Sequence, residues 1–338
     1  MLVLLGSSPA FAEVPSHAVV LMYHRFGETT YPSTNIRTDQ FKAHLDHLEQ
    51  GGYRVWPLNR VVRHLKEGTA LPDRVVAITI DDAYQSIRTV AYPILSARGW
   101  PFTVFVSTDA VDQGLAAYLS WEQMRDMRGH GVDFANHSAS HDYLVRRNAG
   151  EDEAAWRARI AADIARATER ITEELGPPPP LFAYPYGEYR EALKDVVREA
   201  GLTGFGQHSG PIGPRSDFLA LPRFPMSETY GGINDFRLKV ATLPLPVTHH
   251  APSDPMWEGG PPPQLSVTLA ASDARLDELA CYASGQGRIE VHWVDRDAGS
   301  FQVKAEKPLS KGRSRYNCTA PAGGSGRYYW FSQPWLRE

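Results

Sequence analysis

Between Val19 and Gly206 the chain alternates short apolar runs with longer amphipathic stretches, and this alternation restricts the fold more than any other feature of the 338 residues. Apolar runs of strand length separated by helix-length segments are what repeated β-α units produce, with parallel strands covered by helices. Seven runs are strand-like: VVLMYH (19–24), YRVWPL (53–58), VVAITID (75–81), FTVFVST (102–108), VDFANH (132–137), LFAYPY (181–186) and LTGFGQ (202–207). The segments between them carry helix signals. Phe41, Leu45 and Leu48 share a helical face behind Thr38, which predicts a Thr38-capped helix stopped at Gly51-Gly52. Ser120 and Gln123 have capping-box spacing ahead of an amphipathic segment. Trp156, Ile160, Ile164, Ala167, Ile171 and Leu175 trace one face of a long helix over 153–175 that GPPPP ends.

Past Leu243 the pattern changes. PLPVTHHAPSDPMWEGGPPPQ is too rich in Pro and Gly to sustain a helix or strand. From Leu265, the segments LSVTLAA, RIEVHWV, SFQVKAE and RYYWFSQPW alternate apolar and polar residues with turn residues between them, the signature of a small antiparallel sheet sandwich. The expected organisation is a barrel-like α/β domain over 13–250, a linker over 251–264 and a β-sandwich over 265–338. Residues 1–12, MLVLLGSSPAFA, read as the remnant of a signal peptide cleaved after Ala12 and therefore predict export to the periplasm or beyond the cell. In that compartment Cys281 and Cys318, the only cysteines, favour one disulfide; two buried free thiols are the alternative. No later segment has the run of about 18 apolar residues of a membrane span. With 35 basic and 39 acidic residues and no basic stripe, nucleic acid is not an expected partner.

Parallel α/β sheets present functional groups at the carboxyl ends of their strands. Four of the runs end in chemically notable residues: His24, the Asp81-Asp82 pair, the NHSASH stretch from Asn136, and AYPYGEY from Ala183. Adjacent carboxylates raise each other's pKa unless a cation intervenes. In a strand they also point to opposite sides, so they divide the work. His137 and His141, four residues apart, suit one side of a helical turn and a shared metal. With Asp81 or Asp82 they form a two-histidine, one-carboxylate set that leaves positions for water and substrate, the other aspartate standing by as a base. A zincin protease is disfavoured, because Ser138, Ala139 and Ser140 fill the interval where that motif needs a glutamate.

These motifs resemble the NodB-type polysaccharide deacetylases, carbohydrate esterase family 4, over roughly Val19 to Leu245. TIDDAYQS is similar to the family's T-F-D-D-G motif, with Ile80 and Ala83 in place of the usual phenylalanine and glycine. HSASH is similar to H-[ST]-x-x-H, and AYPYGEY to R-x-P-Y-G. The resemblance implies a distorted (β/α)7 barrel, Asp81 as catalytic base, and Asp82, His137 and His141 as ligands of one divalent metal, zinc first, with Co, Ni or Mn also compatible. It further implies a substrate-binding turn of Pro185, Tyr186 and Gly187, with the Tyr186 backbone N–H as oxyanion donor. VLMYHRF and LPRFP resemble the branch acting on exopolysaccharide such as poly-N-acetylglucosamine.

Two expected elements are displaced. Ala183 occupies the position of the arginine that pairs with the catalytic aspartate, and Arg223 is the candidate replacement. The family's acid histidine has no clear counterpart; His249 is favoured over His250 and His208. Tyr23, Trp121, Tyr186 and Tyr189 are candidate sugar-stacking residues, while Tyr328, Tyr329, Trp330, Phe331 and Trp335 suit either a carbohydrate-binding face or a sandwich core. The function implied is metal-dependent hydrolytic removal of acetyl groups from N-acetylhexosamine units of an acetylated polysaccharide. O-Acetyl esterase activity and a catalytically silent carbohydrate-binding role are the alternatives.

Overall fold

The computed structural model describes residues 16–338, so the cleavage expected after Ala12 lies outside the described residues. Eight strands form one sheet: β1 (Ala18–Tyr23), β2 (Arg54–Val55), β3 (Val75–Asp81), β4 (Phe102–Val106), β5 (Val132–Asn136), β6 (Leu181–Ala183), β7 (Thr203–Phe205) and β8 (Phe224–Pro225). All pairings are parallel, in the order β8-β1-β3-β4-β5-β6-β7, with β2 attached to β3. The ring closes through a thin seam ahead of β8, where Leu221 donates its N–H to the Gly204 carbonyl and accepts from the Gly206 N–H, both at 2.9 Å. The result is a distorted (β/α) barrel.

Every residue of β1 and β3 is buried, as a parallel sheet covered on both faces requires. Alternation sorts them. Val19, Leu21, Tyr23, Val76, Ile78 and Ile80 pack outward in the main core with helix residues such as Phe41 and Leu45. Ala18, Val20, Ala77, Phe105, Ala135 and Ala183 form the inward cluster, which also takes the apolar face of helix Leu58–Lys66. Ser120 closes its capping box with Gln123 as expected. Helix Glu153–Leu175 buries the anticipated stripe from Trp156 to Leu175.

Two local expectations are corrected. The run 53–58 yields only Arg54–Val55, because Pro57 cannot donate to a ladder and instead precedes the helix that opens at Leu58. Thr38 is the first helical residue and makes no capping bond; Arg37 stands at the N-cap position.

The second unit contains β9 (Leu243–Pro244), β10 (Val247–Ala251), β11 (Gln264–Leu269), β12 (Ala280–Ala283), β13 (Gly287–Ile289), β14 (Val291–Asp295), β15 (Ser300–Lys304), β16 (Gly312–Pro321) and β17 (Tyr328–Arg337). They form a sheet β9-β17-β16-β12-β13 and a sheet β10-β11-β15-β14, antiparallel except where β9 meets β17. Between the sheets lies a core that includes Leu265, Phe301, Tyr316, Tyr329 and Trp335. Cys281 faces Cys318 across β12 and β16, and the two form the disulfide.

The expected boundary at 250–251 is therefore misplaced. Residues 243–251 already pair within the sandwich, and 252–263 connect two of its strands rather than two domains. A hairpin connection and an interdomain linker share the same Pro/Gly composition, which is why the two were indistinguishable in sequence. The sandwich packs directly on the barrel. Trp330 meets Phe224 edge-on at 5.4 Å, and Arg327 donates to the Ala241 carbonyl and to Asp73.

Candidate active site

Strand alternation brings Ala77, Thr79 and Asp81 to the inward side of β3, so Asp81 ends the strand facing the barrel mouth. There it meets Arg223, whose guanidinium forks onto both carboxylate oxygens at 2.7 and 2.8 Å. Arg223 also donates to Thr79 Oγ1 and the Gly206 carbonyl, and neither Arg223 nor Asp81 is exposed to solvent. Burial works to raise the Asp81 pKa, yet the charges of Arg223, His137 and His24 hold it below the usual carboxylate value.

The strand rule fails one residue later. Asp82 and Ala83 both adopt left-handed backbone, with φ of 74° and 58°, so the chain turns and the second carboxylate reaches the same mouth. A residue forced to positive φ explains why glycine would suit position 83. Asp82 Oδ1 lies 3.3 Å from His137 Nε2 and 3.0 Å from His141 Nε2, and one ligand atom from each of the three lies within 4.8 Å of the others. Burial opposes the charge of Asp82, but the two imidazoles keep its carboxyl well below the ordinary range.

The histidine spacing works differently from the expected helical turn. Residues 137–141 form a loop in which Ser138 and His141 have φ of 65° and 57°. Asn136 Oδ1 accepts the Ser138 N–H, Ser138 Oγ accepts the His141 N–H, and Asp163 accepts the N–H groups of Ala139 and Ser140. His137 Nδ1–H donates to the Ala183 carbonyl at 2.8 Å, leaving the Nε2 lone pair aimed at Asp82. Asp82 Oδ1 and His137 Nε2 are both buried without a hydrogen-bond partner. Acceptor atoms so close together, fixed by their surroundings and unbonded, fit a divalent cation.

In the third motif Tyr186 has φ 59°, and its ring stacks on Tyr143 at 4.0 Å and meets His141 edge-on at 4.7 Å. Pro185 is buried. Gly187 is required: at φ 69° a Cβ would lie 2.4 Å from the Gln207 side chain.

Three expected site residues lie elsewhere. His249 is exposed on β10 and lines a cavity of about 1200 Å³ between barrel and sandwich, with no contact to the Asp-His-His cluster among the described residues. Tyr23 faces outward in the barrel core, fully buried, its hydroxyl bonded to His44 Nδ1. Trp121 bonds Asp112 through its indole N–H and sits 5.6 Å from the Arg170 guanidinium, tied to the helical shell. Tyr189, by contrast, is buried but lines the cleft that His24 borders.

The histidine at the site is His24. Its Nε2 lies 3.9 Å from Asp81 Oδ2, and burial lowers its pKa against the pull of Asp82 and Asp81. The signal was present in sequence: His24 follows Ala18, Val20 and Met22 at the strand repeat, one residue past the end of β1. His208 lines the same cleft as His24, but burial lowers its pKa to about 3. The cleft measures about 400 Å³ and is walled by Tyr186 and His24 on one side and Arg313 and Arg315 of the sandwich on the other.

The parallel barrel thus carries an Asp-His-His cluster beside an Arg-clamped aspartate at its mouth. Residues 68–205 match the polysaccharide deacetylase family profile. The poly-beta-1,6-N-acetyl-D-glucosamine N-deacetylase of Escherichia coli K12 is 25% identical over 242 residues, covering 62% of this chain but 36% of that protein. The chain thus spans about a third of the length of that relative. The enzyme of the same name from Staphylococcus aureus MRSA252 is 25% identical over 230 residues, 62% of this chain and 79% of its own. Among solved structures, IcaB from Ammonifex degensii aligns with a TM-score of 0.57 at 26% identity over 64% of this chain and 95% of that one. The Streptococcus pyogenes deacetylase PplD, at 22% identity, TM-score 0.60 and coverage of 67% and 99%, shares the fold.

Proposed function

We propose that the protein is a divalent-metal-dependent de-N-acetylase of an N-acetylhexosamine polysaccharide. The observation that carries this reading is the convergence of Asp82, His137 and His141 within 4.8 Å, with Asp81 held beside them by Arg223. Support comes also from relatives named as poly-beta-1,6-N-acetyl-D-glucosamine N-deacetylases.

Asp82, His137 and His141 would hold the ion, which when bound supplies Lewis-acid polarisation of the acetyl carbonyl. Asp81 is ionised at neutral pH through Arg223 and takes the proton of the attacking water. The backbone N–H of Tyr186, in its left-handed turn, would serve as the oxyanion donor. His24, 3.9 Å from Asp81, is the group placed to pass a proton to the leaving amine. Tyr143 and Tyr186, stacked face to face, offer an aromatic ledge for a sugar ring. We place the protein outside the cytoplasm, a reading supported by its disulfide. Among the described residues no helix is long and apolar enough to cross a membrane.

The test is acetate release from N-acetylglucosamine oligomers by protein stripped with chelator and reloaded with Zn, Co, Ni or Mn. Release that depends on metal and disappears in Asp81→Asn is expected. Release unaffected by chelation would refute the reading.

A further inference from the structure

We propose that the β-sandwich supplies the outer wall of the catalytic cleft and that Arg315, beside Arg313, recognises an oxyanionic group, carboxylate or phosphate, on the sugar next to the N-acetylhexosamine. This rests on the deacetylase reading above and adds the chemistry of the neighbouring unit.

Arg313 and Arg315 are two residues apart on β16, so they project from the same face, while Tyr316 points into the sandwich core. Both line the cleft that His24 and Tyr186 bound from the barrel side. Arg313 is occupied: it donates to the Tyr186 carbonyl and to Gln207 Oε1, and its Nε lies 3.8 Å from Glu188 Oε1. Arg315 is not. Its guanidinium is half-buried and makes no hydrogen bond or ion pair among the described residues.

The groups around Arg315 do not neutralise it. Burial raises the Glu188 pKa, and that carboxyl already serves Arg313. Arg315 acts on His208, which burial keeps neutral, and on Lys239, which has the same sign. The Tyr230 hydroxyl is the one favourable neighbour, and burial lowers the pKa of Arg315 in spite of it. A partly desolvated guanidinium without an acceptor is costly, and its planar fork of five donors matches carboxylate and phosphate. A neutral sugar hydroxyl would leave the charge uncompensated. A neighbouring ammonium, the product of an earlier deacetylation, would be repelled. The cleft therefore favours acidic glycans and disfavours ones already deacetylated beside the target.

The experiment compares three synthetic trisaccharides that differ only in the sugar next to the N-acetylglucosamine: glucose, glucuronate or glucose 6-phosphate. For the full-length protein loaded with Zn, kcat/KM for acetate release and calorimetric affinity in an Asp81→Asn background are measured for each. The acidic compounds are expected to be favoured by about tenfold, in line with a charge-assisted bond. Arg315→Ala should lose that ratio, and Arg315→Lys should keep part of it. The carboxylate and phosphate arms identify which oxyanion fits. Equal handling of the three by the unsubstituted protein, or an equal loss on all three in Arg315→Ala, would overturn the proposal. Absence of acetate release from every compound would instead sink the deacetylase reading, and the calorimetric ratio would still decide this one.

Discussion

Replacing Arg223 with methionine tests the central electrostatic claim. The side chain is fully buried and makes four hydrogen bonds, two of them to Asp81. Methionine fills similar space but leaves Asp81 charged and without its main partner. Breaking a buried pair in this way costs about 3–5 kcal/mol. Neighbouring His24 and His137 remain, so the lower end, about 3 kcal/mol, is expected. Losing that partner moves the Asp81 pKa up.

The direction of the pH effect follows. In the unsubstituted protein the depressed Asp81 pKa contributes stability above the unfolded value near ~4, lost as pH falls through the folded value. In Arg223→Met the folded value stands higher than in the unsubstituted protein, so the penalty is largest at neutral pH and shrinks as pH falls through that raised value. Denaturant unfolding followed from pH 7 downward should show the gap between the two proteins narrowing toward the acid end. The acid limb of kcat/KM on an N-acetylglucosamine oligomer should shift to higher pH. An acid limb in its original place together with unchanged stability at pH 7 would refute the role given to Arg223. Arg223→Lys should fall between the two, since an ammonium cannot fork onto both oxygens.

Asp81→Asn should retain bound metal while turnover falls by at least two orders of magnitude, whereas His137→Ala should lose the metal, as read by metal content after dialysis; equal metal loss in both would contradict the division of roles. His24→Ala should keep metal and substrate KM but lower kcat by about a hundredfold, and a normal kcat would remove His24 from the proton path. Cys281→Ala with Cys318→Ala opens a loop of sequence separation 37 and should cost about 4 kcal/mol, seen as earlier unfolding of the sandwich without loss of metal from the barrel.

Much of this arrangement was legible in sequence wherever a simple period governs the chain. The buried runs VVAITID and VDFANH ended in the residues that meet at the barrel mouth, and the 3.6-residue stripe from Trp156 to Leu175 located the longest helix. Arg223 was traceable because the resemblance calls for an arginine paired with the catalytic aspartate, Ala183 occupies its usual place, and LPRFP supplies one after the last barrel strand. The errors arose where a local pattern had two physical readings. Tyr23 looked available beside a functional strand end, yet the two-residue repeat placed it on the helix side and His24 on the inner one. His249 lay near the expected end of the barrel, but the chain had already entered the sandwich at Leu243, a switch set by strand partners distant in sequence.

What no linear pattern discloses is the backbone of the site itself. Seven described non-glycine residues have positive φ, and Asp82, Ala83, Ser138, His141 and Tyr186 account for five of them. Each such conformation costs on the order of 1–2 kcal/mol in an L-residue. The spacing of His137 and His141 therefore suggested a helical turn, when the ligands are instead delivered by a left-handed loop pinned by Asn136, Ser138 and Asp163. Such a loop persists only because its N–H groups are all engaged, and it leaves Asp82 Oδ1 and His137 Nε2 as the unbonded atoms. Strain, convergence and missing hydrogen bonds thus coincide at one point. A cation there would offset the cost of holding the three ligands together, so metal binding and folding of this loop should be thermodynamically linked.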